Sequence, residues 1–214
     1  MKKLESAKRI IKLLEEYYGN DPKVSLDHRN AWELLVATIL SAQCTDARVN
    51  MVTPALFSRY PDCKAMADAD IKELEEMIRS VGFYHAKASN LILCAKKITN
   101  EFGGEVPRSI EELTSLAGVG RKTANVIRGN VYKEPSIVVD THVKRISKKL
   151  GLTKETEPEK IEYDLMKVLP EESWIMWNIW LITLGREICI ARRPKCQECP
   201  LQSECPSRDL GDEK

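Results

Sequence analysis

Apolar residues recur along this chain at the 3.6-residue spacing of an amphipathic helix, in one segment after another. Leu4, Ile10, Ile11, Leu13, Leu14 and Tyr17 fall on one helical face, and Gly19-Asn20-Asp21-Pro22 then breaks the pattern. A second helix is predicted from about Arg29 to Ser41. Its Trp32, Leu34, Leu35, Val36, Ile39 and Leu40 make more than one face apolar, which marks a helix central to a core. A third follows Thr45 and ends by Pro61. Asp70-Ile71-Lys72-Glu73 and Ser109-Ile110-Glu111-Glu112 both have the form of capping boxes, which announce helix starts. Phe83 to Phe102 reads as one long helix stopped by Gly103-Gly104, and another runs from about Gly120 to Tyr132. Pro135 opens a short extended stretch through Ile137, Val138 and Val139, and Asp140-Thr141-His142 starts a helix that stops at Gly151. Helices follow near Pro158–Leu169 and Glu171–Glu187, and the segment beyond them, with Pro194, Pro200 and Pro206, is loop-like. Alternating strand patterns are nearly absent, so the expected fold class is all-α, with no repeat and no low-complexity linker.

Length and composition narrow this further. The 214 residues suffice for one large domain or two small intertwined ones, and a hydrophobic content of 43% supports a real core. Charged residues are 30% of the chain, yet the formal net charge is only +1. A nucleic-acid partner would therefore require positive charge concentrated locally. Met1-Lys2-Lys3-Leu4-Glu5-Ser6 leads into a charged amphipathic pattern with no apolar signal-peptide core. The best apolar stretch, Trp174 to Ile182, is interrupted by Asn178 and falls short of a membrane span. The expectation is a soluble intracellular protein of the cytoplasm or nucleoid.

The seven cysteines are unevenly spread: Cys44, Cys63 and Cys94 are scattered, whereas Cys189, Cys196, Cys199 and Cys205 crowd together near the end. An odd total without an export signal argues against a disulfide framework. The crowded four have the spacing C-x6-C-x2-C-x5-C, which can wrap a metal centre. Structural zinc usually takes two short-spaced pairs, and only Cys196 and Cys199 form one. A [4Fe–4S] cube needs thiolates at four separated corners and suits the wider spacing better. Cluster, zinc and four unliganded cysteines all stay open on spacing alone. The same loop carries Arg192, Arg193 and Lys195, which suit phosphate contacts or an ordinary solvated basic turn equally well.

Leu116-Ala117-Gly118-Val119-Gly120-Arg121-Lys122-Thr123-Ala124-Asn125 lies between two predicted helices. Its Gly-x-Gly makes a tight turn and leaves backbone N–H groups uncovered at a helix N-terminus, a site that favours an anion such as DNA phosphate. This is a helix–hairpin–helix signature. Lys122 falls in the first helical turn, where the dipole disfavours its ammonium and favours the neutral amine that a nucleophile needs. A phosphate-binding surface lysine explains the same position equally well. Eighteen residues on, Asp140 follows an apolar run and precedes a helix. It reads as an N-cap, or as a carboxylate placed to steer protons and stabilise a cationic sugar; the two roles are compatible.

Taken together, the hairpin with Lys122, Val139-Asp140-Thr141-His142, the cysteine spacing and Leu40-Ser41-Ala42-Gln43-Cys44-Thr45-Asp46 resemble the endonuclease III family, over nearly the whole chain and in the family's order. The resemblance implies two helical lobes with a DNA cleft between them. Residues 24–134 would form a six-helix lobe with the hairpin, and residues 1–23 with 135–214 the lobe holding a [4Fe–4S] cluster on Cys189, Cys196, Cys199 and Cys205. It implies a DNA glycosylase and AP lyase, a monomer, acting on oxidised or damaged pyrimidines in double-stranded DNA. Lys122 would be the nucleophile and Asp140 its acidic partner. Gln43 and Phe83 would fill the gap left by a flipped nucleotide, and Gly118, Gly120, Arg121, Thr123, His142, Arg192, Arg193 and Lys195 would contact DNA. Ala117 stands where the family usually has Pro, and Phe83 where relatives often carry Leu. Loading a cluster of core charge about +2 on four thiolates would take the net charge to roughly −1, so local patches must supply the attraction. The alternatives are a monofunctional mismatch glycosylase, which typically lacks a lysine at the position of Lys122, and a non-catalytic iron–sulfur DNA-binding protein, which needs no lysine–aspartate pair.

Overall fold

A computed structural model of the chain describes residues 2–20 and 25–208, so Asp21 and Pro22 of the first predicted break lie outside the described residues. Within them the chain forms α1 (Lys2–Tyr18), α2 (Ala31–Leu40), α3 (Asp46–Arg59), α4 (Cys63–Ala67), α5 (Ile71–Ile78) and α6 (Tyr84–Glu101). There follow α7 (Ile110–Thr114), α8 (Arg121–Asn130), α9 (Thr141–Lys149), α10 (Pro158–Met166) and α11 (Trp174–Glu187). Short 3₁₀ turns occupy Arg79–Val81, Glu171–Ser173 and Cys196–Glu198, and there is no strand among the described residues. None of their helices is long and apolar enough to cross a membrane.

Helix starts are set by short polar side chains that accept from orphan amides of the first turn. Asn30, Thr45, Asp62, Asp70, Ser109 and Asp140 each cap the helix that follows. At Ser109 the capping box is complete, with Glu112 reaching back to the cap. At Asp70 only half of it forms, because Glu73 turns instead to Arg59 at 2.7 Å. The helix predicted from Phe83 begins one residue later. Gly82 and Phe83 are both left-handed, at φ +71° and +48°, so Phe83 caps α6 from outside it. The short α4 has too few residues for its periodicity to register in the sequence.

The chain divides into two compact units, Val24–Glu134 and Met1–Lys23 with Pro135–Lys214. In the first, α2 is buried nearly all round and packs against α3, α6 and α8. Leu34, Leu35, Val36 and Leu40 are wholly buried beside Leu56, Leu74, Ile78, Leu91, Ile98 and Ile127. Glu33 is buried on the same helix and is satisfied by the backbone N–H and guanidinium of Arg29.

In the second unit, Ala7, Ile10 and Leu14 of α1 join Val143 and Ile146 of α9, Ile161 and Leu165 of α10, and Trp177, Leu181 and Leu184 of α11. Trp180 Nε1 donates to Gly19 O at 2.8 Å, and Arg9 pairs with Glu204 at 2.8 Å, tying α1 to both α11 and the cysteine segment. Helices α9 and α11 approach closely where Gly185 faces the ring of His142. A β-carbon on Gly185 would overlap the imidazole Nδ1 and lie 2.9 Å from its Cγ, near the base of the side chain where little can give. Gly185→Ala is therefore expected to destabilise the fold by about 1–3 kcal/mol, the usual cost of overpacking. Urea denaturation would measure this as a lower midpoint with an unchanged slope; an unshifted midpoint would mean that the two helices separate freely.

Candidate functional site

The cysteine segment begins where α11 ends. Cys189 N–H donates to Leu184 O at 2.7 Å, and Lys195 N–H returns to Ile188 O at 2.9 Å, closing the basic loop. Cys196 opens the following 3₁₀ turn, Cys199 N–H donates to Cys196 O, and Cys205 N–H donates to Leu201 O. These bonds gather all four thiols around one small cavity, also lined by Lys149, Pro194 and Lys195. Arg145 Nη1 lies 3.4 Å from Cys189 Sγ.

Three features fit this cavity to an iron–sulfur cluster. None of the four cysteines is disulfide-bonded. Burial chiefly pushes Cys199 and Cys205 above the usual thiol range; the backbone N–H groups of Leu201 and Ser207 oppose this, and the neighbouring thiols add to it. Four thiolates around one hollow therefore need a cationic centre. Finally, all four thiols line the one hollow. That arrangement suits a larger group with separated corners better than one zinc. Arg192, Arg193 and Lys195 stand exposed on the same loop, with Lys195 4.0 Å from Glu198. The remaining cysteines belong to the other unit. Cys94, buried near Cys63, has its pKa pushed up to about 12 by burial and is inert.

The hairpin joins α7 to α8 in the Val24–Glu134 unit. Leu116 and Val119 are buried and anchor the turn in the core, with Val119 N–H donating to Leu116 O. Gly118 has φ +76°, and a β-carbon there would lie 3.0 Å from Asn90 Cβ, so both conformation and packing demand glycine. Gly120 caps α8 and has no side-chain oxygen to offer its first-turn amides. Gly118, Gly120 and Lys122 are exposed, and Arg121 and Thr123 half-exposed. The hairpin residues singled out in the sequence are thus brought together on one anchored turn.

Asp140 and His142 belong to the unit that holds the cysteines. Buried Ile137, Val138 and Val139 lead into Asp140, whose Oδ1 accepts from Val143 N–H at 2.8 Å. One carboxylate oxygen is thus committed to the cap. His142 is half-buried against Gly185 with Nδ1 3.4 Å from Arg145 Nη2. Burial chiefly, helped by Arg145 and Arg186 against the pull of Asp140, lowers its pKa. Its neutral ring therefore predominates at neutral pH.

Two further segments stand out in the hairpin's unit. Gln43 (φ +54°) and Phe83 (φ +48°) both hold left-handed backbone, and both side chains are exposed, Phe83 to 66%. For non-glycine residues this conformation costs about 1–2 kcal/mol. It persists only where surrounding structure over-determines it, commonly at functional positions. Between these segments lies a residue that sequence reading passes over. Lys87 looks like any polar helical lysine, yet it is buried and donates to Leu40 O and Val81 O. No local pattern signals such a tertiary contact.

Comparison with known proteins places this geometry. Residues 36–171 match the HhH-GPD superfamily of base excision DNA repair proteins. Residues 189–205 match the iron–sulfur binding domain of endonuclease III. Endonuclease III of Synechocystis sp. is 51% identical over 206 residues, covering 96% of this chain and 94% of that protein. Endonuclease III of Bacillus subtilis is 45% identical over 190 residues, covering 88% and 87%. The solved structure of a trapped endonuclease III–DNA covalent intermediate, an estranged-adenine complex, superposes with a TM-score of 0.89 at 40% identity, over 95% of this chain and 96% of that one. With its anchored hairpin and its four thiols around one hollow, the chain belongs to the endonuclease III family of base excision repair DNA glycosylases and AP lyases, whose cofactor is a [4Fe–4S] cluster.

Proposed function

We propose that this protein, acting as a monomer inside the cell, removes damaged pyrimidines from duplex DNA and then cuts the strand, with Lys122 as nucleophile and Asp140 as its acidic partner. The observation that carries the reading is Lys122 itself. It is an exposed lysine in the first turn of a helix capped by glycine, on a hairpin whose amides suit DNA phosphate. A base inside the duplex is out of reach, so the damaged nucleotide is first flipped out. Gln43 and Phe83, exposed on their strained segments, fill the gap. Gly118, Gly120, Arg121 and Thr123 hold the backbone, while His142 and the exposed Arg192, Arg193 and Lys195 add contacts from the other unit.

The amine of Lys122 attacks C1′ of the sugar, and the C1′–N bond breaks as the base departs with the electron pair and takes a proton. The Asp140 carboxylate stabilises the positive charge that develops on the sugar. The sugar ring then opens to give an imine between Lys122 Nζ and C1′. Loss of a C2′ proton expels the 3′ phosphate oxygen, which is β-elimination, and water releases the lysine. Cys189, Cys196, Cys199 and Cys205 would hold the cluster, which would supply the positive centre their thiolates need and so tie the segment together.

The cluster reading is checked by composition. Purified protein should be yellow-brown, with about four iron atoms and four labile sulfides per chain. Colourless protein with stoichiometric zinc would overturn it.

The reaction is checked by trapping the imine. Borohydride added to enzyme and a duplex carrying a damaged pyrimidine should give a covalent protein–DNA adduct. Lys122→Gln should abolish the adduct and keep the helix, because Gln is a comparable helix former. No adduct with wild-type protein would favour a monofunctional mismatch glycosylase, and full trapping by the variant would identify another amine.

Asp140→Asn separates capping from charge. Asn caps helices about as well, so stability should change little. Single-turnover base excision should slow by about 10-fold or more as the carboxylate charge is lost; normal turnover would leave Asp140 a cap alone.

A further inference from the structure

Lys87 stands in the first turn of α6 and is 5% exposed, the only buried lysine among the described residues. Its ammonium donates to Leu40 O at 2.8 Å and to Val81 O at 3.0 Å. Leu40 is the last residue of α2, and Val81 the last of the 3₁₀ turn. Both carbonyls are of the kind that a helix cannot satisfy within itself. The other carbonyls of the last turn of α2 are met locally. Ser41 N–H bonds Ala37 O, Ser41 Oγ bonds Thr38 O, and Ala42 N–H bonds Ile39 O. Leu40 O is the one met by Lys87, at the end of the helix where the dipole favours a cation.

The residues that follow these two carbonyls matter most. Gln43 comes three residues after Leu40, and Phe83 two residues after Val81. Both are left-handed and exposed, so each segment needs an external hold. Burial lowers the pKa of Lys87, and Cys44 on the Gln43 loop opposes this electrostatically. Pure filling of space does not account for Lys87, since an apolar side chain of its volume would fill the site without the cost of burying a charge. Lysine adds donors that bind two chain segments to a single nitrogen.

We infer that Lys87 is a positioning residue that fixes the Gln43 and Phe83 segments relative to one another, so that both side chains are preset to enter the duplex together when a nucleotide leaves it. The inference rests on the proposed gap-filling role of Gln43 and Phe83. It places specificity for distorted DNA partly in a residue that never touches DNA. Lys87 does not compete with Lys122 as nucleophile, because its donors are committed and its side chain is enclosed.

Lys87→Met keeps volume and helix propensity and removes both donors. Affinity is read by fluorescence anisotropy on two duplexes of one sequence, one undamaged and one with a tetrahydrofuran abasic-site analogue. The preference for the analogue should fall by about 10-fold in the variant, with affinity for undamaged duplex within about twofold of wild type. Phe83→Ala should show the same pattern, and the double variant should lose little more, since both changes disable one device. Equal losses on both duplexes, or losses that add, would reduce Lys87 to a folding residue and overturn the inference. Should Lys87→Met not fold, Lys87→Gln serves: its shorter stem cannot reach both carbonyls, so a wild-type preference there overturns the inference equally. If Phe83→Ala loses the preference and Lys87→Met keeps it, this inference alone fails. If wild-type protein has no preference, the gap-filling role of Gln43 and Phe83 fails with it.

Discussion

The amides and carbonyls that a helix cannot satisfy within itself are the constraint on which the rest of this structure depends. In an all-helical chain every connection begins and ends with such groups, and here the proposed site residues sit where they are met in different ways. Asp140 meets an amide with one carboxylate oxygen. Gly120 offers α8 no side-chain oxygen, which suits those amides to an outside anion. Lys87 meets carbonyls of two elements at once. Capping, and the binding and positioning proposed for the hairpin and Lys87, are thus variations on one physical requirement, and the hairpin is distinctive because its cap is missing a side chain.

The cysteine segment answers a different demand. After α11 it has little apolar surface of its own, and short backbone bonds and turns carry it around the thiols. Burial disfavours the thiolate form of Cys199 and Cys205, so metal binding, which deprotonates its ligands, is coupled to the folding of this segment. Arg9 and Glu204 fasten the same segment to α1, and Arg145 approaches Cys189 from α9. The basic loop is held between the first two of these cysteines, so its charges are presented on a backbone with little freedom.

Much of this was legible before any coordinates. The apolar pattern of α2, the capping box at Ser109, the hairpin glycines and the cysteine spacing all rest on local rules, and local rules survive folding. What escaped was tertiary or very short. The five residues of α4 span barely more than one helical turn, too few to display a period. Phe83 looked helical because its flanks are, but the left-handed pair it forms with Gly82 places it outside α6. The half-formed box at Asp70 reads as complete in sequence because nothing local reveals that Glu73 has a better partner in Arg59. Lys87 and Gly185 carry no local mark, since their roles are set by carbonyls and a ring that distant parts of the chain supply.

The tie between α1 and α11 has a consequence for biosynthesis. Helix α1 is synthesised with Ala7, Ile10 and Leu14 on its apolar face, but their partners Trp177, Leu181 and Leu184 follow roughly 160 residues later. At about 5–20 residues per second, that face waits on the order of ten seconds or more for its cover. Meanwhile the whole stretch Val24–Glu134, whose core draws only on its own residues, has been translated. The nascent chain therefore carries the uncovered face of α1 past a stretch with a core of its own, and the cysteine segment, coming later still, can be metallated only once that long wait is over.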